Sequence, residues 1–356
     1  MRERDKYLDI LRGTAVILMV LGHCIQYGNG RAFSQPDIFF NNTAFQLIYS
    51  FHMPLFMLIS GYLFIYTVEK YSDIMAFVKN RILRLLLPIV CWDIIIYIKF
   101  AIEVEKTEGW IKELLVAYFR SLPEDYWFLW AVFYCSIAVW IGRYLFHDSI
   151  IYYLLGLVLT FLVPEIIYHL FFYKFMYPFF VGGYLFAKNQ ELIKNKMAKI
   201  GIKTLLVGVL VVYGFLFVFW NYDSYIYTSG YSSIDRNDLI HQIGIDCYRM
   251  VIGFVGSMVV ILAVRLIYDF VRYKCEDKQW VRRLVNAVSH IGEESLGIYI
   301  VSSYMVEAFL SANRDKMSLN YLNNILQTII ICGASYLLIY LIRKVKVLNI
   351  LLLGGR

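Results

Sequence analysis

An arginine and a histidine interrupt an otherwise apolar run near the start of the chain, Asp9-Ile10-Leu11-Arg12-Gly13 through Leu21-Gly22-His23. Arg12 and His23 are eleven residues apart, and at about 100° per residue they return to within roughly 20° of one helical face. At about 1.5 Å rise per residue they stand roughly 16 Å apart along the axis. One helix can therefore hold an anionic group near one end and a general base further along. That suits a long ligand, charged at one end and reactive at the other.

The setting of this pair is a membrane. Of 356 residues, 60% are hydrophobic, 18% aromatic and only 17% charged, with a mean hydropathy of +0.59. These values predict an all-α, polytopic integral membrane protein. Apolar runs suited to about 30 Å of hydrocarbon fall at 8–27, 44–67, 82–102, 126–146, 149–163, 166–187, 204–220, 243–271, 284–310 and 321–342. About ten transmembrane helices are expected, with the junction at 164–165 the weakest boundary. Most of the 34 Lys and Arg residues then fall on one side: positions 2, 4 and 6, Lys70 to Arg84, Lys188, 194–199 and Lys203, Arg265 to Arg283, and Arg343 onward. By the positive-inside rule the topology is N-in and C-in, in a multi-pass plasma-membrane protein. The net charge of +7 is a membrane-surface signature and gives no reason to expect nucleic acid.

The first apolar run has no small-residue cleavage site after it, so it is expected to stay in the protein. The six cysteines are scattered without metal-ligand or disulfide spacing. No metal is expected, and Cys24 points about 100° away from its neighbour His23, a poor position for a shared nucleophile. Residues 1–356 read as a single membrane domain, with no soluble extracytoplasmic part.

The second span contains Phe51-His52-Met53-Pro54-Leu55-Phe56 and Ser60-Gly61-Tyr62-Leu63. His52 falls at a depth near that of His23, so the two imidazoles can share a cavity; a kinked packing helix with a satisfied histidine accounts for it equally well. Pro54 loosens the preceding turn, and Ser60-Gly61 admits a close neighbour. At the mouth of the third span, Arg81 and Arg84 are spaced i, i+3 to share a face and carry the planar fork that matches phosphate. Topology alone also places basic residues there. Asp93, His169, Lys174, Arg249, Glu293 and Glu294 are isolated ionisable groups expected to face protein or water, with Asp93 a natural partner for a cation. Two outer loops, 103–125 (acidic, leading into Tyr126-Trp127-Phe128) and 221–238 (tyrosine-rich), read as interfacial aromatic belt in preference to a carbohydrate-binding surface.

Together these motifs resemble the membrane-bound acyltransferase 3 family, in particular its fucose 4-O-acetylase-like branch. The resemblance rests on Asp9, Arg12-Gly13 and His23 in the first helix, Phe51 to Leu63 in the second, the Arg81/Arg84 pair, and Ser295-Leu296-Gly297-Ile298-Tyr299 near the end. Where the family often has a histidine soon after that last segment, this chain has Ser302-Ser303. The resemblance implies transfer of an acyl group, usually acetyl from cytoplasmic acetyl-CoA or another acyl-CoA, to a hydroxyl of a cell-surface or lipid-linked carbohydrate. It implies His23, Asp9 and His52 as catalytic residues and Arg12, Arg81 and Arg84 as donor-binding ones. The competing expectation is a transporter or flippase for a lipid-linked or charged solute. That class commonly shows internal repeats with matching broken helices, and none is visible here.

Overall fold

The computed structural model describes residues 5–27, 37–103, 106, 108–162, 170–193, 200–228, 236–275, 278–306 and 320–355. His169, the junction at 164–165 and the basic positions 2, 4 and 194–199 lie outside them. Among the described residues sixteen α-helices follow in order: α1 (Lys6–Tyr27), α2 (Asp37–Phe40), α3 (Thr43–Tyr49), α4 (His52–Val68), α5 (Ile74–Arg81), α6 (Leu87–Glu103), α7 (Trp110–Ser121), α8 (Trp127–Tyr144), α9 (Ile150–Leu162), α10 (Leu170–Lys188), α11 (Ile202–Phe217), α12 (Arg236–Lys274), α13 (Gln279–Glu293), α14 (Ser295–Met305), α15 (Tyr321–Arg343) and α16 (Lys346–Leu353). No strand occurs among the described residues.

The described parts of the apolar runs are mainly helical. Six helical stretches among them are long and apolar enough to cross a membrane: Lys6–Tyr27, Thr43–Val68, Ile74–Glu103, Trp127–Tyr144, Leu239–Lys274 and Tyr321–Arg343. α9, α11 and α14 are apolar but shorter. The ninth run departs from the expected single span. It breaks at Glu294, whose φ of −93° and ψ of 9° leave the helical region, into α13 and the 11-residue α14. The reason is visible in the sequence of α13, where Arg282, Arg283 and Leu284 are exposed while Val281, Ser289 and Gly292 are buried. That is a surface helix with one packed face.

Close backbone contacts hold the helices that carry the candidate site. A Cβ on Gly13 would lie 2.1 Å from the Val288 carbonyl oxygen and one on Gly292 1.7 Å from that of Asp9, so α1 and α13 touch through their glycines. The same device joins α4 to α10, where a Cβ on Gly61 would meet the Phe180 carbonyl at 1.9 Å. Small residues at helix contacts let backbones approach where apolar burial gives no preference over lipid. Outward, Ile98, Phe100, Val211, Phe215, Ile329 and Ile330 are exposed, as lipid-facing positions are.

Two local irregularities matter for the site. Between α3 and α4 the helix breaks at Ser50 and Phe51 and restarts at His52, which puts Pro54 in the first turn, where amides have no intrahelical acceptor. Between α5 and α6, residues Ile82–Leu86 form a π turn in which the Leu87 amide bonds to the Ile82 carbonyl. Pro88 follows directly; its missing N–H and ring disfavour a regular i→i−4 ladder there, and widening the turn removes the conflict.

Candidate active site

Arg12 lies one helical turn from Asp9 on α1, with Nη1 3.5 Å from the Asp9 carboxylate. Its Nη2 and Nε donate to the Ser295 hydroxyl at 2.8 and 3.2 Å. Ser295 opens α14, so the break after α13 supplies the partner that fixes this guanidinium. Further along, His23 shares a cavity of about 180 Å³ with Tyr299 and Ser303, both also on α14. Arg12 and His23 thus both face α14, as their spacing requires.

His52 lines the same cavity, which brings the two imidazoles together. It is 2% exposed, and its Nδ1 is 2.9 Å from the Ile48 carbonyl oxygen. A carbonyl only accepts, so Nδ1 carries the proton and Nε2 keeps the lone pair. The helix break at Ser50 and Phe51 sets this up, because it lets the His52 side chain fold back on the preceding helix. Tyr49 stands between the imidazoles: its hydroxyl donates to Gln26 Oε1 at 3.1 Å and lies 3.5 Å from His23 Nδ1, and its ring centroid is 4.6 Å from that of His52.

The rest of the wall comes from segments that read, in sequence, as an aromatic belt. Glu124, Asp125, Tyr126, Trp127 and Tyr227 line the cavity with Ile96 and Tyr304. Tyr126 has φ 54°, an uncommon conformation for a non-glycine residue, and this turns the chain from the acidic loop into α8. The sequence signal was the acidic pair Glu124-Asp125 leading into Tyr126-Trp127; what it lacked was the long-range fold that sets this turn over His23.

Asp9 is not part of this group. Fourteen residues separate it from His23, about 21 Å along the axis, and it faces Arg12 instead. Arg81 and Arg84 also depart from expectation: they do not share a face. Arg81 is 7% exposed, donates through Nε to Ser136 Oγ at 3.1 Å and lies 5.5 Å from the Phe64 ring centroid, whereas Arg84 is exposed. The π turn between them rotates the second arginine away from the position an α-helix would give it.

Five of the six isolated ionisable groups fall among the described residues. Lys174 and Arg249 flank Asp246 at 3.8 and 3.3 Å, and Arg249 also donates to the Asp223, Ser224 and Tyr225 carbonyls, tying the 222–225 turn to α12. Glu294 pairs with Arg343 at 2.7 Å and Glu293 with His290 at 3.2 Å. Asp93 pairs with no cation among the described residues: it is fully buried, and neither carboxyl oxygen has a hydrogen-bond partner there. At the end of the bundle opposite the imidazoles, a hollow of about 1170 Å³ is lined by Lys6, Lys70, Arg272 and Arg282 together with Asp5, Glu69 and Glu191. Among the described residues, no group of three or more His, Cys, Asp or Glu side chains could hold a metal ion.

Comparison with known proteins gives a consistent set of matches. A family model described as an acyltransferase domain matches residues 5–344. Nodulation protein NolL of Sinorhizobium fredii is 30% identical over 311 residues, spanning 84% of this chain and 77% of the relative. Nodulation protein NolL of Mesorhizobium japonicum is 28% identical over 227 residues, spanning 64% of this chain and 59% of the relative. No solved structure matches.

Proposed function

The chain belongs to the acyltransferase family whose model it matches over residues 5–344, and on that premise we propose that it is a plasma-membrane O-acetyltransferase acting on a cell-surface or lipid-linked carbohydrate, oriented N-in and C-in. The donor is acetyl-CoA or another acyl-CoA, taken from the cytoplasm. The observation that carries this reading is the shared cavity of His23 and His52, roughly 16 Å along α1 from a guanidinium held by Asp9 and Ser295.

The charges of the two ends support the direction of transfer. Glu124 and Asp125 at the imidazole cavity disfavour a polyphosphate entering there, while Arg12, Arg84 and Arg343 belong to the opposite end. The acyl thioester supplies the activated acyl group. In this reading His23 takes the proton of the acceptor hydroxyl, whose oxygen then bonds to the acyl carbon as the carbon–sulfur bond breaks; the imidazolium returns its proton to the departing thiolate. His52, with Nδ1–H committed to Ile48, presents Nε2 as an acceptor for a neighbouring hydroxyl and orients the sugar. Asp9 and Ser295 position Arg12, Arg81 braces the mouth through Ser136, and exposed Arg84 meets the donor's phosphates.

Mass analysis of cell-envelope glycans with and without the gene tests this function. An added acetyl group that depends on the gene is expected. Identical glycans, together with gene-dependent movement of a solute or lipid-linked sugar across the membrane, would replace the reading with a transporter.

A further inference from the structure

A second, smaller hollow of about 50 Å³ adjoins the imidazole cavity. His52, Met53 and Tyr227 line both, so His52 is part of the wall between them. Most of the small lobe is apolar, with Phe175, Met176 and Met250 among its lining, but Lys174 and Asp246 also open onto it. At this size it takes one or two water-sized groups and not a sugar ring.

Asp246 is only half satisfied among the described residues. Asp246 Oδ1 accepts from Gln242 Nε2 at 2.7 Å and from Arg249 Nη1 at 3.3 Å. Asp246 Oδ2 has no hydrogen-bond partner among the described residues, although the side chain is 2% exposed. Lys174 Nζ stands 3.8 Å from that oxygen, beyond hydrogen-bond length. A buried carboxylate oxygen left open in this way is costly.

Resting on the acceptor reading above, we propose that this lobe is a specificity subsite for a carbohydrate hydroxyl, bridged between Asp246 Oδ2 and Lys174 Nζ. The donor and acceptor inventory selects the ligand class. A hydroxyl donates one hydrogen bond and accepts others, so it gives its proton to Oδ2 and receives from Nζ. A carboxylate or fully ionised phosphate has no proton for Oδ2, and an ammonium has no lone pair for Nζ. With its ring in the larger cavity beside His23, the acceptor extends one hydroxyl-bearing arm past His52 into the lobe, so that the site reads one position of the sugar and acylates another.

The test is an affinity panel on the full chain purified in detergent, titrating methyl hexopyranosides and each of their monodeoxy analogues by ligand-observed NMR. A site built to bond a hydroxyl rejects the analogue lacking it; one deoxy position is expected to weaken binding at least tenfold in the wild type and to make no difference in Lys174→Met. That variant leaves Asp246 paired with Arg249 and Gln242, so the buried carboxylate keeps a cation. Asp246→Asn, which turns the open acceptor into a donor, is expected to lose the same discrimination. Equal losses at every deoxy position in wild type and variants would mean that the lobe holds water only and would overturn the proposal. Weaker coenzyme A binding in Lys174→Met would assign the hydroxyl to the donor's arm and would equally overturn it. If no glycoside binds while acetyl-CoA turnover still depends on His23, the subsite falls and the proposed chemistry stands.

Discussion

His52 owes its chemical identity to a bond made with the backbone. Donation from Nδ1 to the Ile48 carbonyl at 2.9 Å fixes which nitrogen is free. His52→Gln keeps a side-chain donor for that carbonyl and is expected to lower transfer less than His52→Ala, measured as kcat/KM on protein of matched folding; equal losses would mean that the tautomer is not what matters. The two arginines of the Arg-x-x-Arg pair are expected to separate. Charge-assisted contacts are worth about 1.5 to 3 kcal/mol each, so Arg84→Ala should weaken coenzyme A binding roughly tenfold to hundredfold without loss of thermal stability. Arg81→Ala, which strips a buried side chain from Ser136 and Phe64, should lower the Tm. The shared face of Arg12 and His23 was legible from spacing alone because α1 is a regular helix from Lys6 to Tyr27. The shared face expected of Arg81 and Arg84 fails because a π turn changes the rotation per residue and no periodicity announces it, though Pro88 was a hint.

Among the elements, the α1–α13 contact is the one that sequence periodicity could not supply, since it depends on two glycines 279 positions apart meeting each other's helix backbones. Gly292→Ala puts a methyl 1.7 Å from the Asp9 carbonyl oxygen; overpacking of this kind costs typically about 1 to 3 kcal/mol, and a lower Tm with weaker donor binding is expected. An unchanged Tm would mean a looser contact. The break at Glu294 was likewise hidden, because 284–310 is apolar enough to read as one span until the exposed Arg282 and Arg283 are placed. The turn after α8 gives a pH-dependent test outside the spans. Burial pushes the Asp148 carboxyl up, but hydrogen bonds from Lys188 at 2.7 Å, Tyr153 and Tyr184 outweigh it and hold the carboxyl below its ordinary value. Its contribution is therefore present above the unfolded value and is lost as pH falls through the folded one. Asp148→Asn should lower stability at neutral pH, by an amount near the lower end of about 1.5 to 3 kcal/mol because Lys188 is largely in solvent, and the deficit should shrink on acidification. A deficit independent of pH would contradict this.

Across the whole molecule, the all-helical class followed from composition and hydropathy, with six of the helical stretches long and apolar enough to cross a membrane, whereas the walls of the cavity did not. Glu124, Asp125, Tyr227 and Tyr299 come from segments far apart in sequence, and only tertiary packing sets them around His23 and His52. The separation of an acidic, aromatic cavity from a basic opposite end predicts sidedness: in sealed vesicles of defined orientation, transfer should require acetyl-CoA on the face that carries Arg84 and Arg343. Transfer from donor supplied only on the imidazole face would reverse the proposed route. The central claim, that His23 is the general base of an acyl transfer, is tested most directly by comparing His23→Ala with wild type in two measurements on folded, purified protein: coenzyme A binding and acetyl transfer. Loss of a general base typically costs about 10²- to 10⁴-fold in rate, so transfer should fall by that factor while coenzyme A affinity stays within a few-fold; a His23→Ala protein that transfers acetyl at near the wild-type rate would contradict the account.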